Sequence, residues 1–62
     1  MPTDDYGNEI KDGDRLSIVV GIPGREVIGT VRAKCGRLVF ENDEGNMPLS
    51  EVLKWYNSEV IR

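Results

Sequence analysis

The stretch REVIGTVRAKCGRLVFEN, residues 25–42, reads as a β-hairpin, and the rest of the 62-residue chain arranges itself around it. In an extended backbone successive side chains point to opposite faces. Val27, Gly29, Val31 and Ala33 therefore share one side, and Ile28, Thr30 and Arg32 the other. Lys34, Cys35 and Gly36 form a tight turn, and the chain returns through Arg37–Asn42 with Leu38 and Phe40 directed inward. Gly29 gives up packing surface inside a strand. The physical reasons for a glycine there are a bulge, a sharp bend or the close approach of another backbone.

Upstream, Leu16, Ile18 and Val20 alternate with Ser17 and Val19, which predicts a strand of about six residues. It ends in GIPG, residues 21–24, where Pro23 cannot donate to a ladder and the glycines permit positive φ. Residues 1–9 are polar, with Pro2, Gly7 and Asn8 as breakers, and are expected to form an irregular arm or a poorly paired first turn. A single domain is expected over residues 10–62. Downstream of the hairpin, DEGN is a second turn. MPLSEVLKWYN carries helical spacing, with Ser50 expected to cap one or two helical turns, Leu49, Val52 and Leu53 on one side, and Trp55 or Tyr56 closing over the core. A brief strand is expected over Glu59–Arg62.

Four or five short strands and one late helical turn define a mainly β chain. The expected architecture is a small, strongly bent antiparallel sheet, or an SH3-like or OB-like partial barrel, with Leu16, Ile18, Val27, Val31, Leu38 and Phe40 inside. A chain this short buries only about 60% of the surface its unfolded form exposes, so it supports one core. With one cysteine and no histidine, it can form no internal disulfide, and the usual Cys/His zinc sets cannot be assembled. No cofactor or metal is expected.

Function classes narrow on the same grounds. Eight basic residues against eleven acidic ones leave a formal charge of −3, which repels phosphate backbones at long range. The segment MPTDDYGNE has neither the basic nor the apolar region of a secretion signal, and the lone Cys35 fits a reducing, cytoplasmic setting. The longest near-continuous apolar run, IVVGIP, falls far short of the roughly 20 residues that span a bilayer. Without histidine there is no Cys–His pair or Ser–His triad, so an enzyme is not expected.

Several clusters bear weighing as sites. Asp12-Gly13-Asp14 lacks the alternating acidic ligands and distal Glu of a calcium loop and reads as a turn, with Gly13 at positive φ and the carboxylates bonding nearby N–H groups. Asn42–Asn46 reads as a hairpin turn whose Asp43 and Glu44 offer an acidic contact surface. Arg32, Lys34 and Arg37 gather at the turn around Cys35, with Arg25 expected not far off. That tip is the only candidate for phosphate contact, and the aromatic residues lie elsewhere. Cys35 sits beside Lys34 and near Arg37 without a general base and reads as a bystander thiol. Trp55 and Tyr56 are the candidate anchors, since a core this small cannot cover both.

Gly7, Glu9 and Ile10, followed by Gly13 and Asp14, form a Gly-x-Glu-Ile turn leading into a Gly-Asp pair and a strand. With GTVR at 29–32, the acidic turn before PLSEVL and SEVI at 58–61, the chain resembles the YopX-like family of phage and prophage proteins. Members of that family continue with a Gly-Asn-Ile-type tail where this chain ends at Arg62. The resemblance implies a β-rich fold and a phage or prophage origin, and it brings no catalytic residue. The expectation is a non-enzymatic interaction module contacting an unidentified protein, a host protein or a second copy, through Trp55, Tyr56, Asp43 and Glu44. The alternative is a small nucleic-acid-binding barrel using Arg32, Lys34 and Arg37.

Overall fold

The computed structural model describes residues 2–61. Among these the chain forms β1 (Arg15–Val20), β2 (Arg25–Lys34), β3 (Arg37–Asn42), β4 (Gly45–Pro48), α1 (Leu49–Trp55) and β5 (Asn57–Ile61). The strands make one open antiparallel sheet in the order β4-β3-β2-β1-β5. The protein is mainly β with one short helix, as its alternation predicts.

The β2–β3 hairpin closes through Cys35 and Gly36, both at positive φ (52° and 77°), the twist that a two-residue connection needs to match its strands. Its register sets Val31 opposite Phe40 and Ala33 opposite Leu38. Leu16, Ile18, Val31, Phe40 and Val60 are buried together on the inner face, and Leu49 and Val52 of α1 and Ile10 pack onto them. Val27 and Leu38, expected in the core, are only partly buried against it. Gly29 serves close approach: a Cβ there would lie 2.6 Å from Cζ of Phe40 and 2.7 Å from the Glu41 carbonyl oxygen. The missing side chain lets the Phe40 ring lie across β2.

Three local expectations are corrected. β4 is a strand formed from Gly45-Asn46-Met47-Pro48, poor strand formers held extended by pairing with β3. Ser50 caps nothing: α1 starts two residues earlier than a Ser50 cap would place it, with extended Pro48 (ψ 134°) at its N-cap and no side-chain cap bond. Proline fixes the entry angle and has no N–H to leave unpaired. The last strand begins at Asn57 rather than Glu59, and Arg62 lies outside the described residues.

Residues 2–9 make a poorly paired turn with one isolated bridge among the described residues, Thr3 to Glu9, but that turn is tied to the sheet. The Asp4 carboxylate is buried and accepts N–H bonds from Tyr6 (2.9 Å), Asn8 (2.8 Å) and Val60 (2.8 Å). The Asn8 amide donates to it as well. Asp5 exchanges backbone and side-chain bonds with Ser58. The outward edge of β5 is thereby covered. Burial opposes ionisation of Asp4, but the bonds from Val60, Asn8 and Tyr6 outweigh it and hold its pKa at about 2.

The Asp12-Gly13-Asp14 triplet extends β1 past its first residue. Gly13 takes φ +92° and donates to the Val31 carbonyl at 2.7 Å, while Val31 N–H returns to the Asp14 carbonyl at 2.8 Å. Asp14 accepts the Lys11 N–H, and Asp12 accepts the Ala33 N–H at 2.9 Å. The Asp12 carboxylate stitches the turn to β2, while the Asp14 carboxylate closes the turn on itself.

Candidate functional site

The sheet is split at one place. The β2–β3 ladder runs from Lys34–Arg37 back to Thr30–Glu41 and stops, because β3 turns away at Asp43 and Glu44 into β4. The first half of β2, Arg25–Gly29, is therefore paired with β1 only. Backbone groups alternate sides along a strand. Val31 bonds Asp14, on the β1 side, so the N–H and C=O of Glu26 and Ile28 face the opening between β2 and the β3–β4 hairpin.

This seam has two unlike walls. On the inner face it opens into a recess of about 240 Å³ whose apolar lining, Ile18, Val20, Val27, Phe40, Met47 and Tyr56, is bordered by Arg25, Asn42, Glu44 and Asn46. On the outer face the same gap is lined by Glu26, Ile28, Thr30, Glu41, Asp43 and Glu44, with Arg15 on the β1 side and Arg25 bordering both this gap and the recess. Ile28 is 43% exposed there. The recess is smaller than the roughly 300–1,000 Å³ of a small-molecule pocket and suits one or two aliphatic side chains.

Two of the four outer carboxylates are engaged. Glu26 accepts the Ser17 hydroxyl at 2.7 Å. Glu41 takes the Lys34 ammonium at 2.6 Å, a bond that, with the charge behind it, lowers the Glu41 pKa. Asp43 and Glu44 project from the exposed turn, where the Asn42 side-chain oxygen accepts the Glu44 N–H at 2.9 Å and holds its shape.

The residues singled out from sequence divide accordingly. Asp43, Glu44 and Tyr56 meet at the seam: Glu44 borders both walls, Asp43 the outer one, and half-buried Tyr56 the inner one. Trp55 does not join them. It is 66% exposed at the end of α1, where its indole N–H bonds Glu51 at 3.0 Å and Lys54 lies 5.4 Å from the ring centre. Arg32, Lys34 and Arg37 do share the hairpin tip, but Lys34 is neutralised by Glu41. Arg25 stands at the far end of a ten-residue strand, roughly 30 Å along it, and takes no part. Cys35 is exposed.

Glu26 and Ile28 were not legible as site residues from their own identities. Their one signal is Gly29, since a strand glycine marks where the partner strand crowds in before it diverges. Among the described residues no three Cys, Asp or Glu side chains converge on a point that holds a metal, and no helix is long and apolar enough to cross a membrane. No family model, curated protein or solved structure matches the chain.

Proposed function

We propose that this chain is a non-enzymatic protein-interaction module, an SH3-like partial barrel opened at one seam, that engages its partner through the acidic turn and the apolar recess beside it. The observation that carries the reading is the recess itself: a hollow reaching the core residues Ile18 and Phe40, with Tyr56, Arg25 and Glu44 also in its lining. A hollow with apolar and charged lining side by side offers a partner side chain both burial and an orienting contact. The YopX-like resemblance supports a phage or prophage accessory protein, and the lone, exposed Cys35 supports a cytoplasmic setting.

The nucleic-acid reading is weaker. Of its three basic side chains one is spent on Glu41, and no aromatic side chain stands on the sheet's outer face near Arg32 and Arg37 for a base to stack on.

Affinity capture from a bacterial host, comparing the native chain with the Asp43→Lys/Glu44→Lys variant, tests the reading. A protein retained by the native chain and lost by the variant supports it. Equal retention by both refutes it.

A further inference from the structure

An open antiparallel sheet has two outer edges, and here both are blunted. The β5 edge is covered by the N-terminal turn, with Asp4 and Asp5 bonded to Val60 and Ser58. The β4 edge is four residues long, begins with a glycine and ends at Pro48, which has no N–H to offer. Short strands, proline and covering loops are the ordinary protections against stray strand pairing. The third edge, inside the sheet along Arg25–Ile28, is as short as the β4 edge, but it holds no proline and, among the described residues, no backbone bond covers it.

We infer that this internal edge is a strand-accepting slot, and that its occupant is an extended partner segment alternating aliphatic and basic residues. Glu26 and Ile28 supply two N–H donors and two C=O acceptors toward the gap, enough to pair a segment of about five residues by strand addition. A strand lying in the slot sends alternate side chains to opposite faces. Those on the inner side enter the recess, where Val20, Val27, Phe40, Met47 and Tyr56 stand beside Arg25, Asn42 and Glu44; its apolar part selects aliphatic residues. Those on the outer side pass the hairpin wall, where Asp43 and Glu44 carry no ion-pair partner among the described residues. That wall selects lysine or arginine. Arg15 stands across the outer gap from the acidic turn, and Arg25 borders both the gap and the recess, so the favourable place for a positive charge is beside Asp43 and Glu44. At the closed end, the Glu41 carbonyl and the Phe40 ring against Gly29 bar the segment from running further along β2.

The inference rests on the interaction reading above and sharpens it to backbone pairing with one kind of peptide. The probes are labelled pentapeptides: Lys-Val-Lys-Val-Lys, its acidic counterpart Glu-Val-Glu-Val-Glu, and two N-methylated forms of the basic peptide, one methylated on the valines and the other on the lysines. Fluorescence anisotropy is expected to show the basic peptide binding at least tenfold tighter than the acidic one, with one methylated form weakened at least tenfold. The Asp43→Lys/Glu44→Lys variant, altered only at exposed turn positions, should reverse the charge preference. Amide exchange should slow at Glu26 and Ile28 when the basic peptide is bound. Indifference to both methylations, absence of binding, unchanged exchange at Glu26 and Ile28, or a sedimenting mass showing a second copy in the slot each overturns the inference. If capture of a host protein depends on Asp43 and Glu44 while neither methylation matters, strand addition is wrong and the interaction reading survives. If capture and peptide binding both ignore the turn, both fall.

Discussion

Oδ2 of Asp4 accepts the backbone N–H of Val60 at 2.8 Å, joining residues 56 positions apart at the edge of the sheet. A carboxylate takes the place of a sixth strand there. The same group gathers the Tyr6 and Asn8 amides, so one side chain both shapes the N-terminal turn and fastens it to β5.

That bond makes stability depend on acid in a stated direction. The Asp4 pKa is about 2 in the folded chain against 3.8 as its ordinary value. Between those values the unfolded chain binds the proton and the folded chain does not. The stabilisation is complete above about pH 4 and is lost as pH falls toward 2. Denaturant midpoints measured from pH 5 to pH 2 are expected to fall for the native chain and to fall less steeply for Asp4→Asn. Identical slopes would remove Asp4 from the account. Asp4→Ala should also lower the thermal midpoint by on the order of 5 °C or more at neutral pH and speed exchange of the Val60 amide.

Gly29 and Gly24 both lack room for a Cβ, for different reasons. At Gly24 the obstruction is Cγ1 of Val19 at 2.5 Å, the tip of a side chain exposed enough to move; at Gly29 it is the Glu41 carbonyl and the Phe40 ring. Gly29→Ala is expected to cost about 1–3 kcal/mol through forced backbone and ring shifts. Gly24→Ala should cost less, about 0.5–1.5 kcal/mol, for displacing the Val19 rotamer. Urea titration of both variants checks the ordering, and equal costs would contradict it.

Trp55 and Tyr56 are neighbours with unlike duties. Trp55→Ala removes an exposed ring and should change stability by no more than about 0.5 kcal/mol. Tyr56, packed against the core, should cost about 1–2 kcal/mol when cut to alanine, from the apolar area returned to water. The fluorescence of Trp55, the sole tryptophan, should be readily quenched by acrylamide in the native state. A shielded emission would place the ring elsewhere.

Short single- and double-stranded oligonucleotides at low salt are expected to leave fluorescence anisotropy unchanged. A salt-sensitive rise that disappears in Arg32→Ala and Arg37→Ala would promote the basic tip to the principal site.

Much of the sheet was legible because its signals are local. Alternation at Leu16, Ile18 and Val20 set the face of β1, and Lys34-Cys35-Gly36 marked a tight turn, which closes with Cys35 and Gly36 both at positive φ. β4 escaped notice because Gly45, Asn46 and Pro48 have little intrinsic preference for extension; β3 imposes it. Ser50 misled because Pro48 had already claimed the helix start. In the candidate site, Asp43, Glu44 and Tyr56 were legible as exposed charge and an aromatic too large to bury, whereas the free edge at Glu26 and Ile28 was not.

From its order of residues alone this chain was bound to be a small β protein, since period-two alternation, turn chemistry and a single-core length are properties of neighbouring residues. Tertiary structure decided which strand edges are sealed and which stays open. That choice depends on where Asp4 meets Val60 and where β3 leaves β2, and such meetings arise only when the sheet assembles and brings distant backbone groups within hydrogen-bonding reach.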